Sequence, residues 1–510
     1  MSKTWDRFIE LVNDEWALAS TDADLYWYNI TIMPEGEEDI IAFESGVLAK
    51  HKQRIISSNE MGDLISRLGR ARLQGDNQVI YNKVSREYNR LKPVPPELAA
   101  ELGKLHSKGE SIWRRAKEKN KFGIVAPVLE EIIELERRRA GLIDPTRHPF
   151  EVMMQEEEPD FTLAEVNSYF DVISRHLAPL NHAVSTLPRI DAPFLKAQVD
   201  NNKKLIFIKQ LAKALGFDFS MGIIGESEHP MYVGSRFTIR RGAGLWEAIT
   251  DTMHEAAHAI YDQNLPRKKN HYFDPLGTQA SSSVNEGIAS LYQYHIGLSR
   301  AFWRGYFPKM RRAFPELFKG VDFDEFYSAI NGIKSGFRNV NDDELATPLN
   351  IILRVKLEQR LMDGRLPVKD APREWNESSK RYLGQKPPND RQGILRTNHW
   401  YDGQLGDYPP YLLADVVAPQ LFNAMLRDIP EIEYRIGGPE LKQIKAWLTN
   451  KIFRHGARYD TKELIERATG KPLGPHDYIN YLYRKFSDLY GLPIEMNGKG
   501  FYRLSLRQAA

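Results

Sequence analysis

Apolar residues recur at helical spacing along most of this chain, and that periodicity limits the fold more than any other feature. Trp5, Phe8, Ile9, Val12 and Trp16 fall on one face of an opening helix. The run from Ala126 to Ala140 places its acids early and its arginines late, as the helix dipole favours. Further helices are expected over Thr162–Leu180 and over Lys196–Gly216, the latter closing on a glycine. The Pro-rich stretch Lys92–Glu97 must separate two helices, because proline cannot continue one. Only Tyr232–Arg240 alternates like a strand, and it predicts a small strand pair. No repeat, low-complexity tract or long linker divides the sequence. Although 510 residues leave room for about three domains, a single large, mostly helical body is expected.

Composition removes several functions. With 70 basic and 68 acidic residues the net charge is +2, so nothing supports a nucleic-acid binder. The clusters Arg114–Lys121 and Arg267–Lys269 are short and mixed, as on a solvated face. No stretch reaches the roughly 18 apolar residues of a membrane-spanning helix. The polar N-terminus lacks the apolar run of a secretory signal, which makes a cytoplasmic location the expectation. The chain has no cysteine, so disulfides, thiolate zinc sites and cysteine nucleophiles are all excluded. Any zinc-type site must be built from histidine and carboxylate.

The segment Thr252–Leu265 supplies such a site. It contains His254-Glu255-Ala256-Ala257-His258. On a helix, residues four apart lie about 6 Å from each other at Cβ, so both imidazoles can reach one Zn²⁺. Glu255 projects beside that position, where a general base can take a proton from a metal-activated water. The motif alone also arises by chance. Its small alanines and a candidate third ligand strengthen it. That ligand is Glu286, on a predicted second helix for which Ser281–Ser283 offer an N-cap. Two histidines and a glutamate leave one zinc position open, as catalytic sites do. Asp262, His271 and Asp274 are weaker alternatives.

Several stretches make the sequence resemble the Taq-type thermostable metallocarboxypeptidases: HEAAHAIYDQNLP, PLGTQASSSVNEGIASLYQYHIGLSRAFW, TPLNIILRVKLE and GILRTNHWYDGQLGDYPPY. His229-Pro230 and Arg236-Phe237-Thr238 match two further motifs of that family, and LYWYNITIMPEG an early one. The resemblance covers essentially the whole chain. It implies a mainly α, gluzincin-like fold with a deep active-site cleft and a small β-sheet near the metal helix. The whole chain would form one catalytic domain, with an N-terminal helical part to about residue 220 and a metal-site part beyond. It also implies release of C-terminal amino acids from peptides, a Zn²⁺ ion that Co²⁺ can replace, and a homodimer. Within that frame His254, His258 and Glu286 bind the metal and Glu255 is the base. His399 is the second electrophile, with Tyr408 and Tyr411 as alternatives. Arg236 is the first choice for binding a substrate carboxylate; Arg338, Arg354 and His229 follow.

The departures concern groups around this set. Tyr28 and Gly234 stand where aspartates are usual, and Met231 occupies an aromatic position. Asn285-Glu286-Gly287-Ile288 replaces a His-Glu-Ser-Gln pattern, Asn339 falls on an arginine position, and Asn350 replaces a histidine. Arg396-Thr397 replaces a Gln-Asp pair. These changes leave open a dipeptidase or another metal-dependent amide hydrolase, and, as a different class, a silent binding scaffold.

Overall fold

The computed structural model describes residues 2–187, 190, 192–266, 275–333 and 343–505. His271, Asp274, Arg338 and Asn339 lie outside the described residues. The chain packs into two compact units, each drawn from three separate stretches: Met1–Pro93, Ala192–Tyr327 and Ala424–Lys471 in the first, Val94–Asp191, Ser328–Asn423 and Pro472–Ala510 in the second.

In the first unit the opening helix is one long rod, Ser2–Thr31, followed by Glu38–Ile56, Asn59–Gly69 and Gly75–Leu91. Their apolar stripes bury Phe8, Val12, Met61 and Leu68 together. Of the region expected to be helical from Lys196, the α-helix occupies Asn201–Leu215, after a 3-10 turn at Pro193–Lys196. Asp200 caps its start, and Gly216 takes the left-handed conformation that ends it, at φ 112°. The sheet then follows as β1 (Ile224–Ser227), β2 (Tyr232–Val233) and β3 (Arg236–Arg240), in the order β1-β3-β2. The β2–β3 pair is the predicted one; β1, parallel to β3, was not foreseen. Between β2 and β3 the backbone of Gly234 has φ 58°, a turn that a side chain would strain. Helix Leu245–Gln263 packs on this sheet.

The second unit contains helices Pro96–Glu118, Ala126–Ile143, Leu163–Ser185, Ala346–Met362, Ala371–Leu383 and His476–Tyr490. Its last residues form the hairpin β4 (Ile494–Met496) and β5 (Tyr502–Leu504). Thr162 starts its helix through a capping box with Glu165. Helix Ala346–Met362 is buried on almost every side, including the side chains of Arg354 and Glu358. Gly109 allows the helix that carries it to touch the Tyr401 carbonyl, which would lie 2.0 Å from a Cβ there. No helix among the described residues is long and apolar enough to cross a membrane.

Candidate active site

The helix Leu245–Gln263 has neither proline nor glycine inside it, and Ala256 and Ala257 are fully buried. Small residues let the neighbouring helix approach. That neighbour, Ser282–Ser290, begins where the Ser281 hydroxyl accepts a hydrogen bond from the Val284 amide at 3.2 Å. It carries Glu286, whose carboxylate oxygens lie 3.4 Å from His254 Nε2 and 3.7 Å from His258 Nε2. The two Nε2 atoms are 3.3 Å apart. The three ligand atoms lie within 4.8 Å of one another, and this is the only such group of ligating side chains among the described residues.

The opposite edge of each imidazole is also held. His254 Nδ1 meets Gln293 Oε1 at 2.9 Å, and His258 Nδ1 meets Asn285 Oδ1 at 2.9 Å. An amide oxygen only accepts, so both Nδ1 atoms carry the proton and both Nε2 atoms present lone pairs. Two nitrogen lone pairs and a carboxylate thus converge on one point. Such a donor set fits a cation with imidazole and oxygen preferences, as zinc has. Asn285 is itself fixed: its amide nitrogen donates to the Tyr232 hydroxyl at 2.7 Å, while the Tyr232 ring stacks on His258 with centroids 4.4 Å apart.

Gln293 reaches His254 from an irregular segment. After Ser290 the backbone widens into a π-helical turn, Leu291–Ile296. Such turns carry one extra residue and gather at functional sites. Neither Gln293 nor Tyr232 was singled out from the sequence. Asn285 was noted only as a departure; the structure gives it the place of the group that orients His258. A polar residue within one turn of Glu286 was the available signal.

The electrostatics follow from burial and mutual charge. Burial is the largest influence on Glu255 and, with Glu286 and Asp251 nearby, pushes its carboxyl up to about 7, against the pull of His254. Burial works against the Glu286 carboxylate too, but His258 and His254 outweigh it and hold the group below its ordinary value. Burial and the neighbouring His254 push His258 down, while the bond to Glu286 pulls His254 up despite burial. Beyond the two Nδ1 protons, only one further proton is therefore favoured on this imidazole pair when no cation is bound.

The other predicted residues are spread over both units. In the first, Arg236 donates to Asp24 at 2.5 Å and lies over the Trp27 ring at 5.3 Å. The imidazole of His229 is exposed, and its carbonyl accepts from the Ser227 hydroxyl, which also meets Thr238 at 2.6 Å. Asp262 is not part of the ligating group; its carboxylate lies 3.9 Å from where a side chain at Gly234 would begin. Ile288 is buried here, as is Asn350 in the second unit, where its amide donates to the Ala346 carbonyl. In the second unit, His399 Nδ1 lies 3.3 Å from the Tyr408 hydroxyl. Burial, then Arg354, push His399 down to about 4, so it is neutral at ordinary pH. The Tyr411 ring lies 6.2 Å from that of Tyr408 and is partly exposed.

Comparison with known proteins agrees with this chemistry. The family described as carboxypeptidase Taq (M32) metallopeptidase matches residues 8–486. Carboxypeptidase 1 of Bacillus subtilis is 31% identical over 479 residues, 91% of this chain and 94% of that protein. Thermostable carboxypeptidase 1 of Thermus thermophilus is 26% identical, over 96% and 99% of the two chains. The crystal structure of the M32 carboxypeptidase from Deinococcus radiodurans superposes with a TM-score of 0.89 at 28% identity, covering 96% of this chain and 100% of that one. Metallocarboxypeptidase 1 of Trypanosoma cruzi gives 0.89 at 26% identity, over 95% and 100%. With its match running through almost the entire sequence, the chain belongs to the Taq (M32) carboxypeptidase family of metallopeptidases.

Proposed function

We propose that this metallocarboxypeptidase cleaves the C-terminal peptide bond of peptides with a single Zn²⁺ held by His254, His258 and Glu286. The observation that carries the reading is the convergence of those three groups beside the buried Glu255. When bound, the cation supplies Lewis acidity, polarising a carbonyl and acidifying water. Glu255, raised toward neutrality, takes a proton from the attacking water and passes it to the leaving amine. On the family resemblance, His399 is the hydrogen-bond donor to the developing oxyanion, with Tyr408 or Tyr411 as substitutes.

Arg236 is the described arginine best suited to a substrate carboxylate. Its present partner Asp24 has a side chain that is 64% exposed, and a solvated bridge of this kind costs little to exchange. His229, in the connection between β1 and β2, and Arg338 complete the substrate-binding set. The family resemblance further supports Co²⁺ as an alternative cation, a homodimer, a cytoplasmic location and the whole chain acting as one catalytic domain.

The decisive experiment compares a peptide with a free C-terminus against its C-amidated form on zinc-loaded protein. Turnover confined to the free form is expected. Equal turnover of both would overturn the exopeptidase reading in favour of another amide hydrolase. Metal analysis of the same sample should give about one equivalent, as a three-ligand site holds.

A further inference from the structure

The packed helices Ala346–Met362 and Ala371–Leu383 bury three groups that can donate a hydrogen bond but have no partner among the described residues: Arg354 Nε, Trp375 Nε1 and the Ser379 hydroxyl. Arg354 is 2% exposed, and its guanidinium lies 4.6 Å from the centre of the Trp375 ring. Ser379 follows Trp375 by one turn on the same helix face. Arg354 also carries a charge that no described carboxylate pairs. Its one hydrogen bond runs from Nη1 to Thr397 Oγ1 at 2.7 Å, and that oxygen accepts from the Tyr408 hydroxyl at 3.2 Å as well.

Nearby acids do not make up the deficit. Glu358, one turn beyond Arg354, has both oxygens engaged: one accepts from the Trp400 indole at 2.9 Å, the other from the Gly406 amide at 2.5 Å. Burial pushes the Glu358 carboxyl up to about 8 and, with Glu157, Glu156 and Asp402 adding to it, that of Asp407 up to about 7. Neither therefore supplies a firm negative charge beside the guanidinium. A buried cation without a counter-charge is costly, and so is each buried donor left unbonded.

We propose that Arg354 and Trp375 bind a small monovalent anion of the halide class, with Ser379 as a further donor. An anion answers both deficits at once, because it accepts from several donors and neutralises the guanidinium. A water molecule answers neither in full. It is uncharged, and it brings two protons of its own to a wall already rich in donors. Thr397 explains why this chain needs such an ion. It stands where the family pattern carries aspartate, and a carboxylate at that position would give Arg354 its counter-charge from within the chain. The site is independent of the metal and of the reaction proposed above.

The test uses zinc-loaded full-length protein, melted in sodium chloride and in sodium gluconate at equal ionic strength. Chloride should raise Tm in a saturable way that gluconate does not reproduce, and bromide should act like chloride. Crystals grown in bromide should show an anomalous-scattering peak within bonding distance of Arg354 Nε and Trp375 Nε1. Thr397→Asp should abolish the halide-specific rise, because the ion's role passes to the new carboxylate. Trp375→Phe, which removes one donor to a charged partner, should raise the half-saturating chloride about 10- to 100-fold. Equal melting curves in the two salts would overturn the proposal, as would a bromide map with no peak at Arg354. A full chloride response in folded Thr397→Asp would place the ion elsewhere and overturn it too. Should that variant not fold, an unchanged half-saturation in Trp375→Phe is equally fatal.

Discussion

The metal-site histidines of the first unit and His399 of the second are held by different kinds of partner. At His254 and His258 the Nδ1 partner is an amide oxygen, so Nε2 offers a lone pair. At His399 the Nδ1 partner is the Tyr408 hydroxyl, which donates to Thr397 Oγ1, the same oxygen that accepts from the buried Arg354 guanidinium. The first arrangement suits a cation; the second keeps a neutral ring near a buried guanidinium. At the metal site the ring's use is decided by what touches its far edge, one residue removed from any chemistry.

Removing the acid–base group between the two metal-site histidines should have the largest effect. Glu255→Gln is expected to lower kcat about 10²–10⁴-fold, the usual worth of a positioned base, with bound zinc unchanged by elemental analysis. Loss of metal in that variant would show the carboxylate to be structural. Next, Asn285→Ala frees the far edge of His258 and should weaken zinc binding about 10–100-fold in a competitive chelator titration. An unaltered affinity would mean that the stacked Tyr232 alone orients the ring.

Gly109→Ala tests the support of the His399 side. The new methyl would collide with the Tyr401 carbonyl, and overpacking of this kind costs about 1–3 kcal/mol, read by urea denaturation. Wild-type stability would show that this loop adapts freely. The smallest effect is expected at a third kind of histidine, His148, whose Nδ1 accepts from the Phe150 amide while Nε2 faces Asp363 at 3.1 Å. Against opposing burial, bonds from Arg365 and His148 hold Asp363 down to about 2. Its contribution to stability is therefore complete above the unfolded value of about 3.9 and lost as pH falls from there through about 2. Asp363→Asn should flatten stability over that acid range and be slightly less stable at neutral pH, as compared by denaturation at both pH values.

Much of this was legible in the sequence where one local rule decided the outcome. Helical periodicity placed Ala126–Ile143 almost to its ends and the start of the helix at Leu163 within one residue, and Gly216 announced a stop. The spacing of His254 and His258 brought their Nε2 atoms together, and the serines before Glu286 marked the helix that carries it. What stayed hidden depends on contacts between distant segments. Tyr232 reaches Asn285 across 53 positions, and Thr397 meets Arg354 across 43. β1 escaped notice because Ile224–Ser227 is short and pairs only through β3. Arg236 was legible as a motif but not as the partner of Asp24, 212 residues away.

The π turn at Leu291–Ile296 has a consequence for how the family can vary. Relative to a regular helix it is a one-residue insertion, and each residue advances a helix by about 100°. Deleting one position there would restore the regular winding and swing Gln293 away from His254, yet leave Glu286 and everything before it undisturbed. The length of this turn is therefore an adjustment independent of the ligands themselves. A lineage could loosen or tighten the outer grip on one histidine by a single codon gained or lost, with no change to the metal-binding residues.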